Sequence, residues 1–412
     1  MHFLHNVLKM HFSQNKKRKG IFDMKKILAI LLCLCMVFAV VACNKTEKTD
    51  DTTAADTTAA TEGTTEETTT DNTETPVEEE YKLGMGIVVG TDSSASATAE
   101  KAGTAQIDAT VAAVVLGKDG KIVACRLDAV QNKIAVAADG TLTIPETFKT
   151  KMELGDDYNM AKYGQSMDWN GDGVVKEWYD QAKAFENYVV GKTAAEVEAM
   201  ATKVVEGSGY VISADDALLS AGCTIQITDF KAAVVKACND EQGMNFKTAS
   251  AFTLGVAASS ANDGSTNATA EAAGSVQVYS DFAAAVVVDG KIVATLNDAI
   301  QPKIAVSTTG EIGETTYVDT KRCLKEDYHM AAYGQSMDWN NDGKVLEWYL
   351  QSEAFSKYVV GMTGEEVAAM ATKEVEGKGY IISADDALLT AGCTIQITAI
   401  KAVVAKSVTN AR

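Results

Sequence analysis

Two acidic loops carry the side chains best spaced for chemistry. Asp168-Trp169-Asn170-Gly171-Asp172-Gly173 and Asp338-Trp339-Asn340-Asn341-Asp342-Gly343 put oxygen-bearing residues at positions 1, 3 and 5 and a glycine at 6. That is the first half of an EF-hand-type calcium loop, where the oxygens converge on a hard cation and the glycine turns the chain. Val174 or Lys344 stands at position 7, where a backbone carbonyl would serve. Position 12, normally an acid, is Tyr179 or Tyr349, and the nearest acids are Glu177 and Glu347 at position 10. Two readings stay open. One is a calcium clip that braces the fold, with Asp168, Asn170, Asp172, Asp338, Asn340 and Asp342 as ligands. The other is a tight turn between helices with its carboxylates in water.

Histidine chemistry is excluded by supply. The chain has four histidines, His2, His5, His11 and His329, and His329 corresponds to Asn159 in the repeat described below. No Ser-His-Asp or Cys-His dyad can be common to the two repeats, and a His-ligated catalytic zinc has no ligands. The pattern points away from a bond-breaking enzyme.

A second pair of loops reads Ala221-Gly222-Cys223-Thr224 and Ala391-Gly392-Cys393-Thr394. Each precedes a segment that alternates and then turns helical, Ile225 to Val234 and Ile395 to Val404. This stretch resembles the FMN-binding domain family of extracytoplasmic flavoproteins, tandem-domain lipoproteins among them. In that family a Ser-Gly-Ala-Thr loop leads into a helix, and the Thr often carries FMN phosphate as an ester. Gly120-Lys-Ile-Val123 and Gly290-Lys-Ile-Val293 are similar to its opening strands. The resemblance implies Thr224 and Thr394 as flavin-phosphate acceptors, with Gly222 and Gly392 letting the backbone come close to phosphate. It also implies FMN as a cofactor, an electron-carrying role, and membrane redox proteins as partners. The chain departs from the pattern in three places. Ala221 and Ala391 replace the family's Ser, Cys223 and Cys393 replace its Ala, and Leu218 and Leu388 stand where it has Asp. The plain reading of Thr224-Ile-Gln-Ile-Thr228 is a strand with Cys223 and Ile225 in the core.

The elements that must position these loops occur twice. The segment starting at Ala161 returns at Ala331, a constant offset of 170 residues that also relates Gly120–Val136 to Gly290–Val306. Repeat 1 spans 81–240 and repeat 2 spans 245–412, each long enough for a domain with its own core. In each, two apolar runs flank a turn (Lys118-Asp119-Gly120-Lys121 in the first), which predicts a hairpin. A further hairpin is expected around Asp139-Gly140. Trp178, Ala182, Phe185 and Val189 have helical spacing and read as core. Thr193-x-x-Glu196 and Thr363-x-x-Glu366 are capping boxes. Ser213-Ala-Asp-Asp opens a short helix that Gly222 can end, and Phe230–Cys238 is helical. Asp128, Gln131 and Lys133 have two readings, a ligand-holding group and solvated polar groups closing a strand, and the second is the expected one. Strands precede helices, so the expected fold is α+β: two tandem copies of a small domain, each with a mostly antiparallel sheet and packed helices.

Composition and the N-terminus say where the chain works. Residues 1–23 read as an over-extended start. Met24 opens a segment with Lys25 and Lys26, an apolar run from Ile27 to Val41, and Val40-Val41-Ala42-Cys43. It resembles a bacterial lipoprotein signal, 24–42, whose cleavage leaves Cys43 as the lipid attachment site. Residues 43–80 are rich in Thr, Glu, Asp and Ala, too polar to fold, and form a spacer. The chain holds 56 acidic and 37 basic residues; the signal takes mostly basic ones, so the remainder is more acidic still. Such charge repels phosphate backbones and excludes nucleic acid as a partner. Cys125, Cys223, Cys238, Cys323 and Cys393 match poorly between repeats and make no disulfide framework. These readings converge on a protein lipid-anchored at the extracytoplasmic face of the cell membrane, with two FMN-binding-like domains. The alternatives are a cofactor-free surface binding or adhesion lipoprotein and a solute-binding lipoprotein of a transporter.

Overall fold

The computed structural model describes residues 77–412 except 161, 163–167, 169–170, 172, 263, 331–337 and 339–342. The signal segment, Cys43 and most of the spacer lie outside the described residues. So do Asn170, Asp172, Asn340 and Asp342.

Repeat 1 opens with four antiparallel strands, β1 (Glu79–Gly90), β2 (Gly103–Leu116), β3 (Ile122–Val136) and β4 (Leu142–Thr143). Gly120, at φ 74°, makes the predicted turn between β2 and β3. Helices α1 (Lys151–Leu154), α2 (Trp178–Val189) and α3 (Ala194–Glu198) follow. After them come a small ribbon of β5 (Thr202–Val204) and β6 (Val211–Ser213), then α4 (Asp216–Ser220) and α5 (Thr228–Cys238). The Thr193–Glu196 capping box forms as its spacing predicts. Next, β7 (Met244–Thr248) leaves the joining segment and pairs back onto β1, completing a sheet of order β4-β3-β2-β1-β7.

Repeat 2 follows the same plan with one break. Its strands are β8 (Thr253–Ala261), β9 (Gly274–Gln277), β10 (Tyr279–Val288), β11 (Lys291–Ile300), β12 (Lys303–Val306) and β13 (Ile312–Thr316). They form two three-stranded sheets, β11-β10-β8 and β13-β12-β9. The long β3 of repeat 1 corresponds to β11 plus β12. Between these two lies Pro302, which has no amide hydrogen to give a ladder; its counterpart Asn132 keeps β3 continuous. Helices α6 (Lys321–Leu324), α7 (Trp348–Tyr358) and α8 (Gly364–Ala368) come next. They are followed by the ribbon β14 (Thr372–Val375) and β15 (Tyr380–Ser383), then α9 (Asp386–Thr390) and α10 (Thr398–Thr409).

The chain is thus mixed helix and strand with mostly antiparallel sheets, and the described residues form one compact unit. Strand alternation explains how. On β2, Ala112, Val114 and Leu116 face the repeat's own helices, where they meet Trp178, Phe185 and Phe230. Ile107, Ala109, Val111, Ala113 and Val115 face the other way. There they join Leu254, Val256, Phe282, Ala284 and Val286 of repeat 2 in one core. The helical side of repeat 2 has a core of its own around Trp348, Phe355 and Ile400. Sheet faces from both repeats therefore meet in the middle, with helices outside.

Polar contacts repeat this pseudo-twofold arrangement. Ala97 N donates to Gly310 O at 2.9 Å, and Ala268 N donates to Gly140 O at 3.2 Å. Both glycines have positive φ, and an added Cβ on either would strike the opposite repeat. In the shared core, Asn132 Nδ2 donates to Ser260 Oγ and Ser280 Oγ, each at 3.1 Å.

Candidate functional site

The acidic loops close on themselves in the same way in both repeats. Asp168 Oδ2 accepts from Gly173 N at 2.9 Å, and Asp338 Oδ2 accepts from Gly343 N at 2.9 Å. This joins positions 1 and 6 across the turn. Gly173 and Gly343 both sit at φ 78°, a conformation that suits glycine. Glu177 and Glu347, the acids at position 10, accept from Met160 N and Met330 N at 2.8 Å. Of the six expected calcium ligands, only Asp168 and Asp338 are among the described residues. Among the described residues no group of three or more His, Cys, Asp or Glu gathers.

The threonine loops differ from the strand that their alternation suggests. Helix α4 ends at Gly222, φ 93°, and α9 at Gly392, φ 99°. After a turn at Ala221-Gly222 the chain passes through Thr224 as irregular backbone into α5, and after Ala391-Gly392 it passes through Thr394 into α10 in the same way. The core reading of the neighbours holds: Cys223 and Ile225 are buried. Both thiols, Cys223 and Cys393, are pushed up to about 12 by burial, so neither is a ready nucleophile.

Thr224 and Thr394 are themselves buried, at 2% and 5% exposure. Their donors converge on a glutamine that the motif did not reveal. Gln181 Oε1 accepts from Thr224 N at 2.8 Å, Ile225 N at 3.0 Å and Thr224 Oγ1 at 3.2 Å. Gln351 Oε1 accepts from Thr394 N at 2.8 Å and Thr394 Oγ1 at 3.1 Å. Each glutamine is anchored in turn, Gln181 Nε2 to Lys176 O at 2.8 Å and Gln351 Nε2 to Leu346 O at 2.7 Å. Above the repeat 1 loop, Lys176 Nζ donates to Ala221 O at 2.9 Å. A sequence signal for these glutamines existed: a polar residue recurs at one position of the buried stripe that contains Trp178 and Phe185.

Trp178 and Trp348 are core, as the helical spacing of Trp178 suggests, and their faces are taken by the chain's own lysines. Lys151 Nζ lies 4.9 Å from the Tyr158 ring centre and 5.5 Å from that of Trp178. Lys321 Nζ sits among Tyr328, Trp348 and Tyr279 at 5.0, 5.4 and 5.7 Å.

Asp128 corrects the expectation of a solvated polar group. It is 1% exposed and accepts from Ala129 N at 2.7 Å and Met152 N at 3.2 Å, steadying the start of α1. Burial pushes its carboxyl up to about 6, against the opposing pull of these bonds. Its counterpart Asp298 holds Ala299 N at 2.8 Å and Arg322 N at 3.0 Å, and is raised by burial too.

No family model, curated protein or solved structure matches this chain.

Proposed function

We propose that the chain is a lipid-anchored protein of the extracytoplasmic membrane face that binds a ligand without transforming it. Its two repeats resemble FMN-binding domains in outline, with the flavin-phosphate loops closed by glutamine. The observation that carries this reading is the engagement of both loop threonines. A hydroxyl buried against Gln181 or Gln351 is poorly placed to enter a phosphoester. Ala221 and Leu218, standing where the family has Ser and Asp, agree with it. Mature protein made together with a flavin transferase and FMN should run as a colourless, non-fluorescent band in SDS, and should not retain added FMN on dialysis. A fluorescent band that disappears in T224V/T394V would overturn the reading.

A flavin carrier serving membrane redox proteins is the second reading, and one observation favours it. Two amides and a hydroxyl converging on one acceptor are the donor set that a phosphate oxygen would use. It requires Gln181 to withdraw. We also propose calcium as a structural clip in the acidic loops. The closure from Asp168 to Gly173 supports it.

A further inference from the structure

An open groove of about 630 Å³ lies on repeat 2 beside the C-terminal end of α7. That is within the roughly 300–1,000 Å³ span of small-molecule sites. Val360, Met362 and Met370 give it an apolar side, and Tyr358, Glu366 and Asp385 a polar one. Among the described residues its wall holds no Lys or Arg; Lys373 pairs instead with Asp386, at 3.8 Å.

Repeat 1 contains the same groove with one change. At the 170-residue offset every wall residue is identical except that Lys192 stands where repeat 2 has Met362. The backbone holds the two positions alike: Ile122 N donates to Lys192 O and Ile292 N to Met362 O, both at 2.9 Å. The polar partners are kept too. Tyr188 donates to Asp215, which also accepts from Ala217 N at 2.8 Å. Tyr358 donates to Asp385, which also accepts from Ala387 N at 2.8 Å.

What differs is the cation. Lys192 Nζ lies 4.4 Å from the centre of the Tyr188 ring, within cation–π range. The Asp215 carboxyl is held low first by its hydrogen bond from Tyr188, and the Lys192 charge adds to that. Asp385 is held low by the matching bond from Tyr358, with no lysine contributing. Methionine shares the start of the lysine side chain, but it stops one bond short and carries no charge. Repeat 2 thus keeps the ring and the carboxylates that serve an ammonium in repeat 1, and it offers a thioether where the ammonium's stem would be.

We propose that this groove binds a small alkylammonium ion, its charge over the Tyr358 ring beside Asp385 and its carbon chain along Met362 and Met370. The Lys192 side chain is the stand-in for that ligand in repeat 1. The strongly acidic chain favours a cation as the partner. No residue of the threonine loops lines the groove, so the proposal does not rest on flavin and its test needs none.

Calorimetry on the mature chain with butylammonium and choline chlorides, against sodium chloride and butan-1-ol, tests it. The two cations separate a primary from a quaternary ammonium. A saturable heat at one site per chain is expected with at least one of them, and none with the alcohol. M362K puts in the lysine that repeat 1 already carries, so it should fold normally and weaken binding by about tenfold or more. K192M removes that lysine from repeat 1 and should raise the stoichiometry from one to two. No saturable heat with either cation overturns the proposal, as does an equal heat with the alcohol. So does unchanged affinity in M362K, or a stoichiometry that K192M leaves at one.

Discussion

Asp240 and Arg322 pair across the two repeats: Arg322 Nη2 lies 3.2 Å from either carboxylate oxygen, and both side chains are more than nine-tenths buried. Asp240 Oδ2 also accepts from Met85 N at 3.1 Å, which ties the pair to β1. Removing one partner of a buried pair strands the other charge, at a cost of about 3–5 kcal/mol. D240A should therefore lower unfolding free energy by that amount in urea titrations. D240L/R322M, which removes both charges, should lose much less. A loss below about 1 kcal/mol in D240A would show that the pair does not hold the repeats together.

The pseudo-twofold contact at Gly310 predicts a contrast between two glycines. A Cβ on Gly310 would lie 2.3 Å from Ala137 O and 2.8 Å from Ala97 Cβ, whereas one on Gly120 meets nothing within 4 Å. Both have positive φ, so alanine at either costs roughly 1–2 kcal/mol of backbone strain. G310A should cost about 1–3 kcal/mol more than G120A through overpacking. Equal losses in thermal unfolding would mean that the repeats do not approach so closely in solution.

Gln181 is expected to matter more to stability than the threonine it holds. Q181L removes the acceptor that the Thr224 and Ile225 amides share, a loss on the order of 2–5 kcal/mol. T224V removes one hydroxyl and should cost about 1 kcal/mol. Chemical denaturation of both variants decides this; a milder Q181L than T224V would sink it.

Asp128 gives a pH signature of known sign. Its carboxyl is raised to about 6 in the fold, above its unfolded value near 3.9. The folded state therefore holds the extra proton between those values. Its contribution to stability increases as pH falls from about 6 to about 4, by on the order of 2–3 kcal/mol. Other carboxylates, Glu153 among them, are lowered and act in the opposite direction. The readout is accordingly the difference between wild type and D128N: wild type should gain on the variant across that window. A constant difference from pH 7 to 4 would rule out a raised Asp128.

The calcium clip predicts a melting temperature that rises with millimolar calcium and falls back with chelator. D168A/D338A should abolish that response. A wild-type protein indifferent to calcium in both melting and calorimetry would remove the metal from consideration.

Much of the local structure follows from residues a few positions apart. Lys118–Lys121 forms the turn of a hairpin, Thr193 and Glu196 cap a helix, and Gly222 ends one, because each device acts within about four residues. The 170-residue repeat was equally plain in the sequence. Two findings were not. The alternation of β2 shows that both of its faces are covered, but an apolar face carries no label for its partner. That the second cover is the other repeat's sheet depended on three-dimensional packing. Likewise Thr224 reads as a phosphate acceptor by its neighbours, yet its hydroxyl answers to Gln181, 43 residues away, just as Arg322 answers to Asp240, 82 residues away. Hydrogen bonds and ion pairs between distant elements form only after the hydrophobic faces have chosen one another. The tertiary structure alone therefore decided which polar groups are sealed and which still face a cavity.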